Sequence, residues 1–74
     1  MKLPRGVSAD RLIRALERLG YAVIRQKGSH IILVKSGHIA TLSVPDHREV
    51  ARGTLRSLLQ RSGVSLDAFL KAVE

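Results

Sequence analysis

Between Gly20 and Pro45 the hydrophobic pattern of this chain changes period, and that change restricts the folds open to it. Before Gly20 the apolar residues recur at helical spacing. Leu12, Ile13, Leu16 and Leu19 form one stripe, with Arg11, Arg14, Glu17 and Arg18 away from it. Ser8 suits an N-cap, Val7 and Leu12 occupy the two positions of a hydrophobic staple, and Gly20 suits the C′ stop. These signals predict a helix over 9–19, with Asp10 paired to Arg14 one turn on. Residues 1–7 read as an extended lead-in that Pro4 and Gly6 keep from being helical.

After Gly20 alternation takes over and predicts strands over 21–27, 30–35 and 38–44. In the first, Tyr21, Val23 and Arg25 share one face and Ala22, Ile24 and Gln26 the other. Gly28-Ser29 turns the chain and delivers His30 to the first position of the second strand. That strand is apolar on both faces, Ile31 and Leu33 against Ile32 and Val34, which asks for cover on both sides. Ser36-Gly37 reads as a two-residue hairpin turn, and Pro45 ends the third strand, whose inner face holds Ala40, Leu42 and Val44. Residues 46–52 read as a polar connection. Helical spacing returns over 54–62, with Leu55, Leu58 and Leu59 inward and Gly63 as the stop. Ser65 caps a last short helix over 66–73, with Leu66, Phe69, Leu70 and Val73 on one face.

The expected fold is therefore α+β: a small antiparallel three-stranded sheet with helices packed on it, in the order α-β-β-β-α plus a short C-terminal helix. The order is similar to that of the double-stranded-RNA-binding domain, a likeness of fold that does not by itself establish function. At 74 residues the chain fits one domain, 1–74, with a thin stability margin. It has no cysteine, so neither a disulfide nor a thiolate metal site can staple it. No apolar run approaches the ~20 residues of a membrane span, and Met1-Lys2-Leu3-Pro4-Arg5 lacks the apolar core of a signal peptide. A cytoplasmic location is the default expectation.

Charge narrows the partners. Thirteen Lys and Arg stand against six Asp and Glu, a net charge of +7, and the basic residues cluster rather than alternate with acids. This favours a polyanion: nucleic acid, an acidic protein or a membrane surface. Aromatic residues make up only 3%, so base-stacking platforms of the RRM or OB kind are excluded. Recognition of nucleic acid would run through phosphates and shape.

An ordered set of short motifs resembles one family. Gly28-Ser29-His30, Pro45-Asp46-His47 and Gly53-Thr54-Leu55 with Leu58-Leu59 look like HicA toxins. So do Leu3-Pro4-Arg5 and the run Leu16-Glu17-Arg18-Leu19-Gly20-Tyr21 before the first strand. The resemblance covers nearly the whole chain. It implies the toxin half of a type II toxin–antitoxin pair, an mRNA interferase held inactive by a HicB-like antitoxin; metal independence is expected from the residues themselves. It assigns the catalytic role to His30.

The residues are compatible with that chemistry. RNA carries its own nucleophile, the 2′-hydroxyl, so cleavage needs a base, donors that steady the phosphorane, and an acid for the leaving oxygen. Imidazoles ordinarily titrate near neutrality, at about pH 6.5, and suit either proton role. Lys27 and Arg25 are placed to contact phosphate, and serve equally as solvated charges. Ser29 is a hydrogen-bond donor or simply a turn residue. The N–H groups near Gly53 and Thr54 form a phosphate cradle or an ordinary helix start. His47 is a second proton carrier or RNA contact, or a loop residue whose backbone fixes the path into the second helix. His38 is most simply exposed. No metal or other cofactor is expected, because three histidines without a paired His/Cys motif do not make a zinc site. Two other functions fit the same surface: a non-catalytic RNA-binding module, and a small interaction protein whose charge serves an acidic partner.

Overall fold

The computed structural model describes residues 6–37 and 41–73. Three helices and three strands follow one another as α1 Ala9–Arg18, β1 Tyr21–Lys27, β2 His30–Lys35, β3 Leu42–Pro45, α2 Arg52–Ser62 and α3 Leu66–Val73. The strands form one antiparallel sheet in the order β1-β2-β3. The α+β architecture expected from the periodicity is therefore present, and no helix interrupts the described residues between Tyr21 and Val44.

The first helix begins as its local sequence dictates. The Ser8 hydroxyl accepts from the Arg11 N–H at 3.2 Å, and the staple residues Val7 and Leu12 are both buried. At the other end Gly20 has φ 103° and donates to the Glu17 carbonyl at 3.1 Å. The Asp10–Arg14 ion pair is not formed; Asp10 lines a recess with the 46–48 loop instead. An exposed pair at this spacing is worth only a few tenths of a kcal/mol, about 0.3–0.5, too little to hold two solvated side chains together.

All three helices lie over the same face of the sheet or over one another. α1 packs on α3, β1 and β3, and α2 packs on β3. The core joins Leu12 and Leu16 of α1, Leu33 of β2, Leu42 and Val44 of β3, Leu55 of α2 and Phe69 of α3. Val50, inside the connection read as polar, is also buried, and its N–H donates to the Val7 carbonyl at 2.8 Å. Arg18 ties the two outer helices: its Nη1 donates to the Ala72 carbonyl at 2.7 Å, near the C-terminal end of α3, where positive charge suits the helix dipole. Tyr21 is buried, which pushes its hydroxyl pKa up, and Lys35 Nζ lies 5.8 Å from its ring centre.

Further expectations change. The third strand was expected over 38–44; residues 38–40, with His38, lie outside the described residues, Thr41 is not in the strand, and Pro45 is its last residue. A two-residue turn at Ser36-Gly37 would pair Leu33 with position 40, but Leu33 pairs with Leu42. The link is longer by an even number of residues, so the inward faces of Leu42 and Val44 are preserved. Third, among the described residues β2 is covered on one side only. Ile31 and Leu33 are buried against the helices, whereas Ile32 and Val34 are half-buried on the open face. In addition α2 begins at Arg52, earlier than the Gly53-Thr54 start expected.

Candidate nucleic-acid interface

Cross-strand partners in an antiparallel pair share a face, so the register reads out the open side of the sheet. His30 pairs with Lys27 on one side and with Pro45 on the other. Two pairs further along, Arg25 stands opposite Ile32, which in turn stands opposite Ser43. The pairs Ile31–Val44 and Leu33–Leu42 point the other way, into the core. His30, Lys27 and Arg25 therefore share the face that no helix covers, and all three are exposed.

A β-bulge reconciles this grouping with a buried Tyr21. Simple alternation places Arg25 and Lys27 on the face of buried Tyr21. The register shifts between Val23 and Arg25, where Ile24 is extra. One extra residue reverses the face of everything after it, so Tyr21 stays inward while Arg25 and Lys27 turn outward beside His30. The assignment of Arg25 to the face of Tyr21 is corrected accordingly. Bulges leave no clear mark in a single sequence; in the structure this one leaves the apolar pair Val23-Ile24 42% and 54% exposed.

The turn that presents His30 is tight. Lys27 pairs with His30 across Gly28-Ser29, and Gly28 has φ 59° at the first central position, the place of glycine in a primed hairpin turn. A Cβ on Gly28 would meet no atom within 4 Å, so its replacement is opposed by backbone conformation alone. Gly28→Ala should lower stability by about 1–2 kcal/mol. Gly53→Ala, in a helix at negative φ and with equally open space, should be neutral or stabilising by up to about 1 kcal/mol. Thermal melting of both variants checks the contrast; equal shifts would contradict it.

The remaining candidates are placed by backbone bonds. The Ser29 carbonyl accepts from the Asp46 N–H at 2.7 Å, which fastens the 46–48 loop beside the turn. His47 donates its backbone N–H to Pro45 at 2.9 Å and accepts from Ala9 N–H at 3.0 Å, so its main chain links β3 to the start of α1. Its exposed side chain lines a recess of about 230 Å³ with Ser8, Ala9, Asp10, Asp46 and Arg48. The structure thus brings Arg25, Lys27, Ser29 and His30 together and sets His47 one loop away. The start of α2, near Gly53 and Thr54, has no side-chain cap and no acidic residue in its first turn. Among the described residues no cluster of His, Asp or Glu could hold a metal ion, and no helix is long and apolar enough to cross a membrane.

The structure is thus a small α+β domain with an open sheet face that carries Arg25 and Lys27 beside a histidine at the first position of its central strand. The comparison with family models is more specific: the model described as "HicA toxin of bacterial toxin-antitoxin" matches residues 9–64. The chain belongs to the HicA toxin family, and membership implies a cognate antitoxin. The comparison with curated proteins and the comparison with solved structures each gave no match.

Proposed function

We propose that this toxin is an endoribonuclease that cleaves mRNA at the open face of its sheet, with His30 as the proton-transfer group. The observation that carries the reading is the shared outward face of His30, Lys27 and Arg25. An RNA strand laid across it would meet two cations beside an imidazole. Lys27 and Arg25 would bind the phosphates flanking the scissile bond, and Ser29 would donate a hydrogen bond to the RNA. His30 would take the 2′-hydroxyl proton or supply the leaving oxygen with one, without a metal. His47, on the loop that Asp46 ties to Ser29, is the candidate for a further RNA contact or the second proton. Cleavage of mRNA would arrest translation and growth in the cytoplasm.

The decisive experiment is RNA cleavage in chelator by the parent protein and by His30→Ala. Loss of cutting with RNA binding retained in the variant supports catalysis. Binding without cleavage by the parent would make the protein a non-catalytic RNA-binding module.

The antitoxin reading adds a second expectation. The open face carries half-buried Ile32 and Val34, and the bulge of β1 leaves Val23 and Ile24 exposed at the sheet edge, apolar surface that a partner can cover. Antitoxin binding should protect the β1–β2 hairpin from hydrogen exchange, raise the melting temperature by mass action and block RNA. Protection confined to α3, with cleavage undiminished in the complex, would rule out inhibition by occlusion.

A further inference from the structure

A second recess, also of about 230 Å³, opens between α1 and α3 and is lined by Arg11, Arg14, Arg18, Ala72 and Val73. The arginines stand at i, i+3 and i+7 and so occupy one face of α1. Arg18 is engaged with the Ala72 carbonyl. Arg11 and Arg14 are exposed and form no ion pair among the described residues. No carboxylate of the described residues lines this recess. Three guanidinium groups gathered in one place repel one another until an anion joins them, and their planar forks match phosphate oxygens.

We propose that Arg11 and Arg14 form a second phosphate-binding locus for the RNA strand engaged at the sheet face. This rests on the ribonuclease reading above. Continuity favours RNA over an acidic protein. The start of α1 is bonded to the 46–48 loop through Ala9 N–H and the His47 carbonyl, and that loop is bonded to the β1–β2 turn through Asp46 N–H and the Ser29 carbonyl. The arginine face therefore lies on the element next in line from His30. The protein measures only 30 × 26 × 19 Å, so a short RNA can span both loci. The recess beside the 46–48 loop is lined by His47 and Arg48 as well as Asp10 and Asp46, so cations accompany the strand past the two carboxylates. The second locus increases the length of RNA bound and leaves the chemistry at His30 unchanged.

The test is the double variant Arg11→Gln/Arg14→Gln in the full chain, which removes both charges and keeps good helix formers. Binding of single-stranded RNA is measured against salt, with cleavage kinetics on a trinucleotide and on an RNA long enough to span the body. On the long RNA, KM should rise with kcat unchanged, and the slope of log affinity on log salt should shrink by about 1.4, or ~0.7 for each phosphate no longer neutralised. Trinucleotide cleavage should match the parent. An unchanged slope and KM on long RNA would overturn the locus, as would an equal loss on both substrates or a loss of antitoxin affinity alone. A parent that neither binds nor cuts RNA would remove the ribonuclease reading itself, a result separate from failure of the variant.

Discussion

His30→Ala should abolish most RNA cleavage while leaving the fold in place. The residue is exposed at the first position of the central strand, so truncation opens no core cavity. Exposed substitutions of this kind usually change stability by less than about 0.5 kcal/mol. Circular dichroism, melting temperature and antitoxin binding should therefore remain close to those of the parent. The catalytic effect is of another size: one lost proton-transfer role lowers the rate on the order of 10²–10⁴-fold. Growth arrest on expression should be relieved accordingly. Parent products should end in a cyclic or 3′-phosphate, and matched DNA should survive, because it has no 2′-hydroxyl to attack. Purified His30→Ala protein cutting at the parent rate would refute the assignment. A tenfold loss of RNA affinity with an unchanged rate at saturation would move His30 from catalysis to binding.

The largest expected effect on stability comes from outside the family match. That match ends at residue 64, yet α3, beyond it, packs on α1 and supplies Phe69, which is fully buried in the core cluster. Deleting a buried aromatic ring costs about 3–5 kcal/mol, the lost transfer energy plus the cavity left behind. For 74 residues the whole stability is roughly 4–11 kcal/mol, at about 0.05–0.15 kcal/mol per residue. Phe69→Ala should therefore lower the melting temperature by more than about 10 °C, or leave the chain unfolded without its antitoxin. Phe69→Leu keeps most of the volume and should lose much less. A Phe69→Ala protein that melts with the parent would show that α3 is an appendage. The exposed Asp67–Lys71 pair on the same helix, at 3.4 Å, adds little either way.

Local chemistry alone determined much of this protein. The Ser8 cap, the Val7–Leu12 staple, the Gly20 and Gly63 stops and the Ser65 cap act within a turn or two of the chain. Residues three or four apart are enough to specify them, so helix positions were legible. The change of period between Gly20 and Pro45 specified strands, and Gly28 before His30 specified the tight turn. The family motifs were legible for the same reason, being short and ordered.

Tertiary structure decided the rest. Whether Val50 is buried depends on a lead-in segment more than forty positions away, to which its N–H is bonded. The Leu33–Leu42 register follows from packing both residues against the helices, which a turn propensity at Ser36-Gly37 does not encode. β2 reads as doubly covered because composition counts apolar residues, whereas three helices of this length cover one face only. The same holds for the site. The strand start of His30 and its pairing with Lys27 across the turn were legible in the chain, but that Arg25 and Lys27 lie on the face opposite Tyr21 was not. Tyr21 must be buried at one end of β1 while two cations must stay in water at the other. Strict alternation cannot satisfy both demands, and one bulged residue does.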